Sequence, residues 1–209
     1  MKAIIFDFDG TLADTLPICF YAFQQVFQQF DARSVTNDDI KAMFGPSETG
    51  IIQQNLQHPD VDKAIELYYK AYTEQHAHFV QANTAIAQLL NSLKADYKLG
   101  IVTGKARRSL DISLQALQME NLFEVIITGD DVVQPKPHPE GLQQALDLLN
   151  VDSSEAVFVG DSDADIQAGK QANVFTIAVQ WLEHCDTTHY KLEPDAIVKH
   201  VEELMQFVQ

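Results

Sequence analysis

Two groups of aspartates follow apolar segments of the sequence and could hold a cation. Asp7 and Asp9 lie in the segment DFDGT. In a strand this spacing turns both side chains to the same side, about 6–7 Å apart. Carboxylates this close repel each other unless a cation lies between them or one takes up a proton. The alternative is a solvated turn, because Asp and Gly are common turn residues and Gly10 allows a sharp bend.

The second group of acids is GDSDAD, which contains Asp161 and Asp165. Residues four apart share a face if a helix begins here, although the helix dipole alone also favours acids at a helix N-terminus. The segment begins like an EF-hand loop, but Ile166 and Ala172 stand where that loop needs Gly and Glu. Two groups of acids at one sheet edge favour a hard cation, and Mg²⁺ fits best.

Candidate groups for an anion follow two other apolar segments. Thr103, Gly104 and Lys105 lack the P-loop pattern, which leaves a hydroxyl and the backbone N–H groups of a helix N-terminus as a general anion site. Lys105 is expected at the solvated surface, like Arg107 and Arg108, unless one of them reaches the substrate. Lys136 lies in PKPHP, and a lysine held in so stiff a loop suits the neutralisation of a fixed anion.

The overall charge limits the partners of the chain. Its 209 residues include 14 Lys and Arg and 30 Asp and Glu, a net charge of −16. This charge disfavours binding to nucleic acid and to anionic membranes, which are polyanions. An anionic substrate therefore needs local positive charge at its site.

The compartment expected from the sequence is the cytoplasm. No apolar segment approaches the roughly 18 residues of a membrane helix, and Met1 leads directly into a strand-like segment rather than a signal peptide. Cys19 and Cys185 form no CxxC pattern and are expected to be reduced thiols. We expect a monomer or a homodimer.

The elements that position these residues alternate between strands and helices. Apolar segments predict strands at residues 3–8, 98–103, 124–128, 156–160, 174–179 and 195–198. Leucines at helical spacing lie between most of them. The pattern predicts an α/β fold, a Rossmann-like parallel sheet with helices on both faces, whose strands end at one common edge.

Residues 15–80 break this alternation because they contain no convincing strand. Pro17 suits a first helical turn, Thr36 with Asp39 resembles a helix cap, and aromatic residues recur at helical spacing. We interpret the segment as a four-helix insertion. The predicted domains are a core of residues 1–14 and 81–209 and an all-helical cap of residues 15–80 after the first strand.

Taken in order, these segments resemble the haloacid dehalogenase (HAD) superfamily. Its pattern is DxDGT, a strand-terminal Thr or Ser, an isolated Lys and an acidic GDxxxD-type motif. The sequence matches it at Asp7 to Thr11, Thr103, Lys136 and Gly160 to Asp165. The DGTLADT opening and the size of the insertion are similar to the phosphoglycolate phosphatase-like branch, in which Gly often stands where this chain has Asn173.

The resemblance implies a phosphatase mechanism. Asp7 would be the nucleophile and form an aspartyl-phosphate, and Asp9 would protonate the leaving oxygen and then take a proton from water. A dehalogenase of this fold has no second Asp at that position, so Asp9 favours phosphoryl chemistry.

The resemblance also implies the ligands of the site. Mg²⁺ would be held by Asp7, the backbone carbonyl of Asp9, and Asp161, with Asp165 bound directly or through water. Thr103 would hydrogen-bond a phosphoryl oxygen and Lys136 would offset its charge. The expected phosphate-binding residues are Gly10, Thr11, Gly104 and Lys105.

The predicted function is hydrolysis of a small phosphorylated metabolite, with 2-phosphoglycolate first and pyrophosphate, sugar phosphates and nucleoside monophosphates as alternatives. A phosphomutase of the same superfamily would need several basic groups in its cap. Residues 15–80 contain only the basic residues Arg33, Lys41, Lys63 and Lys70. A receiver-type signalling module is shorter than this chain and lacks the insertion. A non-catalytic binding protein would not need every catalytic side chain of the HAD pattern, and all of them are present here.

Three further features have two interpretations each. The loop of residues 44–47 either faces the active site or merely connects two helices. His184, Cys185 and His189 could suggest a metal site, but their irregular spacing favours a polar loop. Trp181 is expected to contribute only to packing.

Overall fold

The computed structural model describes residues 1–183, 187 and 189–208. In this part of the chain, six strands form one sheet: β1 (Ala3–Phe6), β2 (Lys98–Val102), β3 (Val125–Ile127), β4 (Ala156–Gly160), β5 (Phe175–Val179) and β6 (Ala196–Val198). All neighbouring strands are parallel. Every predicted strand is present, and its ends lie within two residues of the predicted ones.

The spatial order of the strands is β3-β2-β1-β4-β5-β6. The chain builds one half of the sheet outward from β1 and then returns to build the other half from β4. Phe6 of β1 pairs with Ile101 of β2 on one side and with Val159 of β4 on the other. In open parallel sheets, ligands bind where the order reverses, outside the carboxyl ends of the strands. The residues after β1 and β4 occupy that position.

Helices lie between the strands, as the spacing of the leucines predicted, and a further helix follows β6. They are α1 (Leu16–Asp31), α2 (Asn37–Lys41), α3 (Glu48–Asn55), α4 (Val61–Phe79), α5 (Thr84–Leu93), α6 (Arg107–Ala116), α7 (Glu140–Leu149), α8 (Asp163–Gln171) and α9 (Met205–Val208). Short 3-10 turns cover Ser153–Glu155 and Val201–Leu204. Among the described residues, no helix combines the length and the apolar character needed to cross a membrane.

Apolar side chains cover both faces of the sheet, because successive residues of a strand point to opposite sides. Ile4 and Phe6 belong to an apolar cluster with α5, α6 and α9. Ile5 and Phe158 belong to a second cluster with α7 and α8. The prediction of a parallel sheet with helices on both faces is confirmed.

The segment between β1 and α5 folds into α1 to α4 and has an apolar cluster of its own. Pro17 lies in the first turn of α1, and Thr36 and Asp39 form a capping box at α2, as predicted. The side chains of Ile112 and Leu117, in and after α6, pack against the same cluster. Helix α6 contributes to the apolar cluster of the insertion and also to the sheet cluster that contains Ile4 and Phe6. The predicted domain boundaries near residues 14 and 80 therefore stay a prediction.

Candidate active site

Three aspartates meet at the point where the strand order reverses. Asp7 follows β1, and Asp161 and Asp165 follow β4. One carboxylate oxygen of each lies within 4.8 Å of the others. Asp7 and Asp165 are buried and Asp161 is partly buried. The fold therefore joins the two groups of acids that the sequence places 154 residues apart (161 − 7).

Two glycines make room for these carboxylates. Gly10 has a φ of +82°, and a Cβ there would lie 2.5 Å from Oδ2 of Asp161. A Cβ on Gly160 would lie 2.5 Å from the Cβ of Asp165. Real Cβ atoms do not come so close to other atoms, so any side chain at either position would displace an aspartate of the cluster.

Asp161 and Asp165 come together in a different way from the one that their spacing suggests. Helix α8 begins at Asp163, so Asp161 lies before the helix and the two residues do not share a helical face. Asp165 forms a capping box with Ser162, whose N–H and Oγ donate to Oδ2 at 2.9 and 2.6 Å. Its second oxygen is thereby free to face Asp7 and Lys136.

Lys136 lies between two of these carboxylates. Its Nζ lies 2.5 Å from Oδ1 of Asp165 and 2.9 Å from Oδ1 of Asp7. It also donates to the carbonyl oxygen of Val102 at 3.3 Å. The side chain is 11% exposed, so the proline-rich loop holds the lysine against fixed anions. These anions are the aspartates themselves.

The cluster has more negative than positive charge, and its pKa values reflect this. Burial, together with the charge of Asp165, raises the pKa of Asp7 to about 7, although Lys136 opposes the shift. Burial and the neighbouring Asp165 and Asp7 also raise the pKa of Asp161 well above its usual value. Burial opposes the charge of Lys136, but Asp165 and Asp7 outweigh it and raise the pKa of that ammonium. A second cation would relieve the remaining repulsion.

The donor atoms of the cluster fit a hard divalent cation. Within the described part of the chain, the buried Oδ1 atom of Asp7 is compensated by one contact, its 2.9 Å ion pair with Nζ of Lys136, which Asp165 shares. One ammonium cannot compensate three neighbouring carboxylates, and uncompensated buried charge is costly. All candidate ligands are oxygens, which Mg²⁺ prefers. The residues Asp7 and Asp161 are therefore suited to hold Mg²⁺.

The side chain of Asp9 faces a different group of partners. Strand β1 ends at Phe6, so the strand spacing that would turn Asp7 and Asp9 to one side does not apply. The Oδ1 atom of Asp9 accepts a hydrogen bond from Thr15 and lies 3.0 Å from Nζ of Lys105. Its side chain is not part of the carboxylate cluster. The binding of a metal by its backbone carbonyl stays a prediction.

Lys105 is not at the surface, and the expectation of a solvated side chain is wrong. Its side chain is 0% exposed. Nζ pairs with Asp9 and lies 3.3 Å from Oε1 of Glu48, a residue of α3. The position after Gly104 at the end of β2 turns this lysine inward, toward the helical insertion. Arg107 and Arg108 do lie at the surface, paired with Asp131 and Glu66.

The other predicted phosphate-binding residues also lie at this edge. Thr103 is buried directly after β2, and its Oγ1 accepts a hydrogen bond from the backbone of Lys105 at 3.3 Å. Thr11 is buried and donates from Oγ1 to Asp161 at 2.8 Å. Gly104 approaches Gly129, where a Cβ would lie 2.3 Å from the Gly104 carbonyl oxygen. Binding of phosphate by these residues, and by Gly10, stays a prediction.

The loop of residues 44–47 ends beside the loop that follows β3, and its facing the active site stays a prediction. A Cβ on Gly129, which follows β3, would lie 3.0 Å from the Cβ of Ser47. Glu48, the next residue, is buried and accepts hydrogen bonds from the Ala106 N–H and from Ser109. No sequence motif marks Glu48, although an acid directly after a loop expected to face the site was a usable signal.

Trp181 does more than pack. Its Nε1 donates to the carbonyl oxygen of Thr11 at 2.7 Å and so touches the loop that carries Asp9 and Gly10. No spacing in the sequence indicates this contact. His184 and Cys185 lie outside the described residues, and His189 is exposed. Cys19 is buried. The expectation that both cysteines are reduced stays a prediction, because Cys185 lies outside the described residues.

Known proteins resemble the chain over almost its whole length. A family model of haloacid dehalogenase-like hydrolases matches residues 4–179. Pyrophosphatase PpaX of Bacillus mycoides strain KBAB4 is 30% identical over 206 residues, covering 98% of this chain and 95% of the relative. Pyrophosphatase PpaX of Bacillus pumilus strain SAFR-032 is 34% identical over 210 residues, covering 100% and 96%.

A solved structure has the same fold. The crystal structure of a predicted phosphoglycolate phosphatase from Haemophilus somnus 129PT covers 100% of this chain, and 98% of that protein is covered in turn. The TM-score is 0.85 at 22% sequence identity. The matched family model, the relatives and the aspartate site lead to one conclusion: the chain belongs to the haloacid dehalogenase-like hydrolases and is a phosphatase.

Proposed function

We propose that the chain is a Mg²⁺-dependent phosphatase that hydrolyses a small phosphorylated metabolite through an aspartyl-phosphate on Asp7. The observation that carries the proposal is the cluster of Asp7, Asp161 and Asp165 with Lys136, in which three carboxylates surround one ammonium. This arrangement supplies a nucleophile, oxygen ligands for a cation and one fixed positive charge.

Each residue has a definite task in the proposed reaction. A carboxylate oxygen of Asp7 attacks phosphorus while the bond to the leaving oxygen breaks, and Asp9 gives that oxygen a proton. Asp9 then takes a proton from a water molecule that attacks phosphorus, which releases phosphate and restores Asp7. Lys136 and the Thr103 hydroxyl stabilise charge on the phosphoryl oxygens. Bound Mg²⁺ would offset further negative charge on the phosphoryl group.

The basic residues of the insertion support a small substrate rather than the sugar diphosphate of a mutase. Each is engaged within the insertion itself. Arg33 contacts Asp31 and the Phe27 ring, Lys63 pairs with Asp60, Lys70 pairs with Glu74, and Lys41 lies over the Phe20 ring. The charged side chain that the described part of the insertion directs toward Lys105 is that of Glu48, an acid. A second anionic group of the substrate would meet repulsion there.

Pyrophosphate is a second candidate substrate. The proteins that are 30% and 34% identical to this chain are named pyrophosphatases. Attack of Asp7 on pyrophosphate would use the same residues and would release phosphate in place of an alcohol. The metabolite and pyrophosphate therefore differ in the leaving group and not in the catalytic machinery.

Phosphate release from a substrate panel tests the proposal. The panel contains 2-phosphoglycolate, pyrophosphate, hexose phosphates and nucleoside monophosphates, each with Mg²⁺ and with EDTA, and Asp7→Asn protein is the blank. We expect release that needs Mg²⁺ and disappears in the blank, and the preferred substrate decides between the two candidates. Release that continues in Asp7→Asn protein would contradict the nucleophile. Release that continues in EDTA would contradict the metal.

A further inference from the structure

Lys105 forms a buried ionic group that joins the catalytic edge to the helical insertion. Its Nζ lies 3.0 Å from Oδ1 of Asp9 and 3.3 Å from Oε1 of Glu48. It also lies 3.5 Å from Sγ of Cys19 and 4.7 Å from the centre of the Tyr72 ring. A buried ammonium is tolerated only when anions compensate for its lost hydration. Here the two anions come from different parts of the fold.

Glu48 is itself fixed in place by α6. It accepts a hydrogen bond from the N–H of Ala106, directly before that helix, and one of 2.5 Å from Oγ of Ser109. Glu48 is the first residue of α3, so the position of the insertion determines whether its carboxylate contacts Lys105. The contact with Lys105 exists only while α3 lies against the N-terminus of α6.

Among the described residues, the hydrogen bonds of the Asp9 side chain fall on one oxygen, which leaves the other for the reaction. Thr15 and Lys105 both contact Oδ1. A carboxyl group held by one oxygen presents the other in a fixed direction. General acid catalysis needs such a direction, because the proton must lie within hydrogen-bond reach of the leaving oxygen.

We propose that Lys105 is a positioning residue that orients Asp9, and that Glu48 holds Lys105 in place when the insertion lies against the core. The inference rests on the proposed function, in which Asp9 is the acid and base. Lys105 was expected to bind phosphate. The proposed role differs from that expectation, because two carboxylates already pair with this ammonium.

The nature of the leaving group separates this role from phosphate binding. An alkoxide leaves poorly without a proton, whereas a nitrophenolate leaves without one. The ratio kcat/KM reports the steps up to departure of the leaving group. A misplaced Asp9 therefore lowers kcat/KM for an alkyl phosphate much more than for p-nitrophenyl phosphate. Loss of a phosphate-binding group would lower both equally.

The experiment compares Lys105→Met, Glu48→Gln and Asp9→Asn with wild-type protein on p-nitrophenyl phosphate and on an alkyl phosphate that the wild type hydrolyses. For Lys105→Met we expect kcat/KM to fall about 100-fold with the alkyl phosphate and less than about fivefold with the aryl phosphate. Glu48→Gln should show the same preference at about tenfold. Lys70→Met, which changes an exposed lysine of α4, serves as the control and should leave both values unchanged.

A double variant gives a second test. Because Lys105 acts through Asp9, adding Lys105→Met to Asp9→Asn should cost less than about threefold more with the alkyl phosphate. If Lys105→Met does not fold, Glu48→Gln is used to compare the two phosphates, because this substitution preserves the size of the side chain. Equal losses with both phosphates, or fully additive losses in the double variant, would overturn the positioning role. Inactivity of the wild type would instead contradict the proposed function.

Discussion

Thr11 donates a hydrogen bond of 2.8 Å from its hydroxyl to Oδ1 of Asp161, a residue 150 positions later in the chain. The bond joins the loop after β1 to the loop after β4, across the point where the strand order reverses. It fixes one carboxylate of the cluster, whose two oxygens both lie beside Gly10. The two halves of the sheet therefore share one site.

Trp181 makes cation binding at this site measurable without an activity assay. It is the one tryptophan of the sequence, and its indole N–H contacts the Thr11 carbonyl. We expect Mg²⁺ to change its fluorescence and Asp161→Asn to weaken the apparent affinity by at least about tenfold, because a metal ligand is lost. Asp163→Asn is the matched control, since Asp163 lies in the same motif but contacts Lys191. If Mg²⁺ titrations of wild type and Asp161→Asn gave the same apparent affinity, Asp161 would not be a metal ligand.

Because the pKa of Asp7 is raised, replacing this aspartate by a neutral residue should stabilise the folded protein. The gain in stability should depend on pH. Its pKa is about 7 in the folded protein and near 3.8 ordinarily, so between these values the folded state binds more protons than the unfolded state. The contribution of Asp7 to stability therefore falls as the pH rises through this range. In EDTA, Asp7→Asn should be more stable than wild type by about 1–3 kcal/mol at pH 8 and by much less at pH 5.

Urea unfolding in EDTA at pH 5 and pH 8 measures this difference. Mg²⁺ should reduce the advantage of Asp7→Asn at pH 8, because the cation stabilises the ionised carboxylate of the wild type. An advantage that is the same at both pH values would mean that Asp7 does not carry the buried charge. The variant should be inactive at both.

Removal of Lys136 should damage both activity and stability. Lys136→Met leaves Asp7 and Asp165 buried without their shared ammonium, and breaking a buried pair in this way costs about 3–5 kcal/mol. We expect kcat/KM to fall by about 100-fold or more, since a fixed charge near the phosphoryl group is lost. The control is Lys170→Met, which breaks a surface pair with Asp195 and should cost less than about 1 kcal/mol. A loss of activity of only a few fold would make Lys136 a structural residue.

Ser113 connects the helical insertion to α6 through a buried network. Its Oγ lies 2.8 Å from the hydroxyl of Tyr72 and 3.0 Å from Nε2 of His76, both on α4. Ser113→Ala removes this partner from both groups and should lower the free energy of unfolding by about 1–3 kcal/mol. Ser92→Ala changes an exposed serine of α5 and should be neutral in the same urea titration. A neutral Ser113→Ala would mean that water replaces the serine.

The sequence by itself predicted the sheet and the acids at its edge. Apolar segments indicated each strand, and alternation with helices indicated parallel pairing, because both signals arise from neighbouring residues along the chain. Parallel strands end at one edge, so Asp7 and Asp161 were expected to meet there. The helical insertion was visible from its aromatic spacing and from its lack of strands.

Only the tertiary structure decided which side chains meet. Lys105 was expected in solvent and is buried against Asp9 and Glu48, which lie 96 and 57 residues before it (105 − 9 and 105 − 48). The contact of Trp181 with Thr11 likewise spans 170 residues. Sequence periodicity reports which face of an element is apolar, whereas the partner of a buried charge depends on how two elements pack. The chemistry of the site is therefore encoded locally, and its electrostatic surroundings are set by packing.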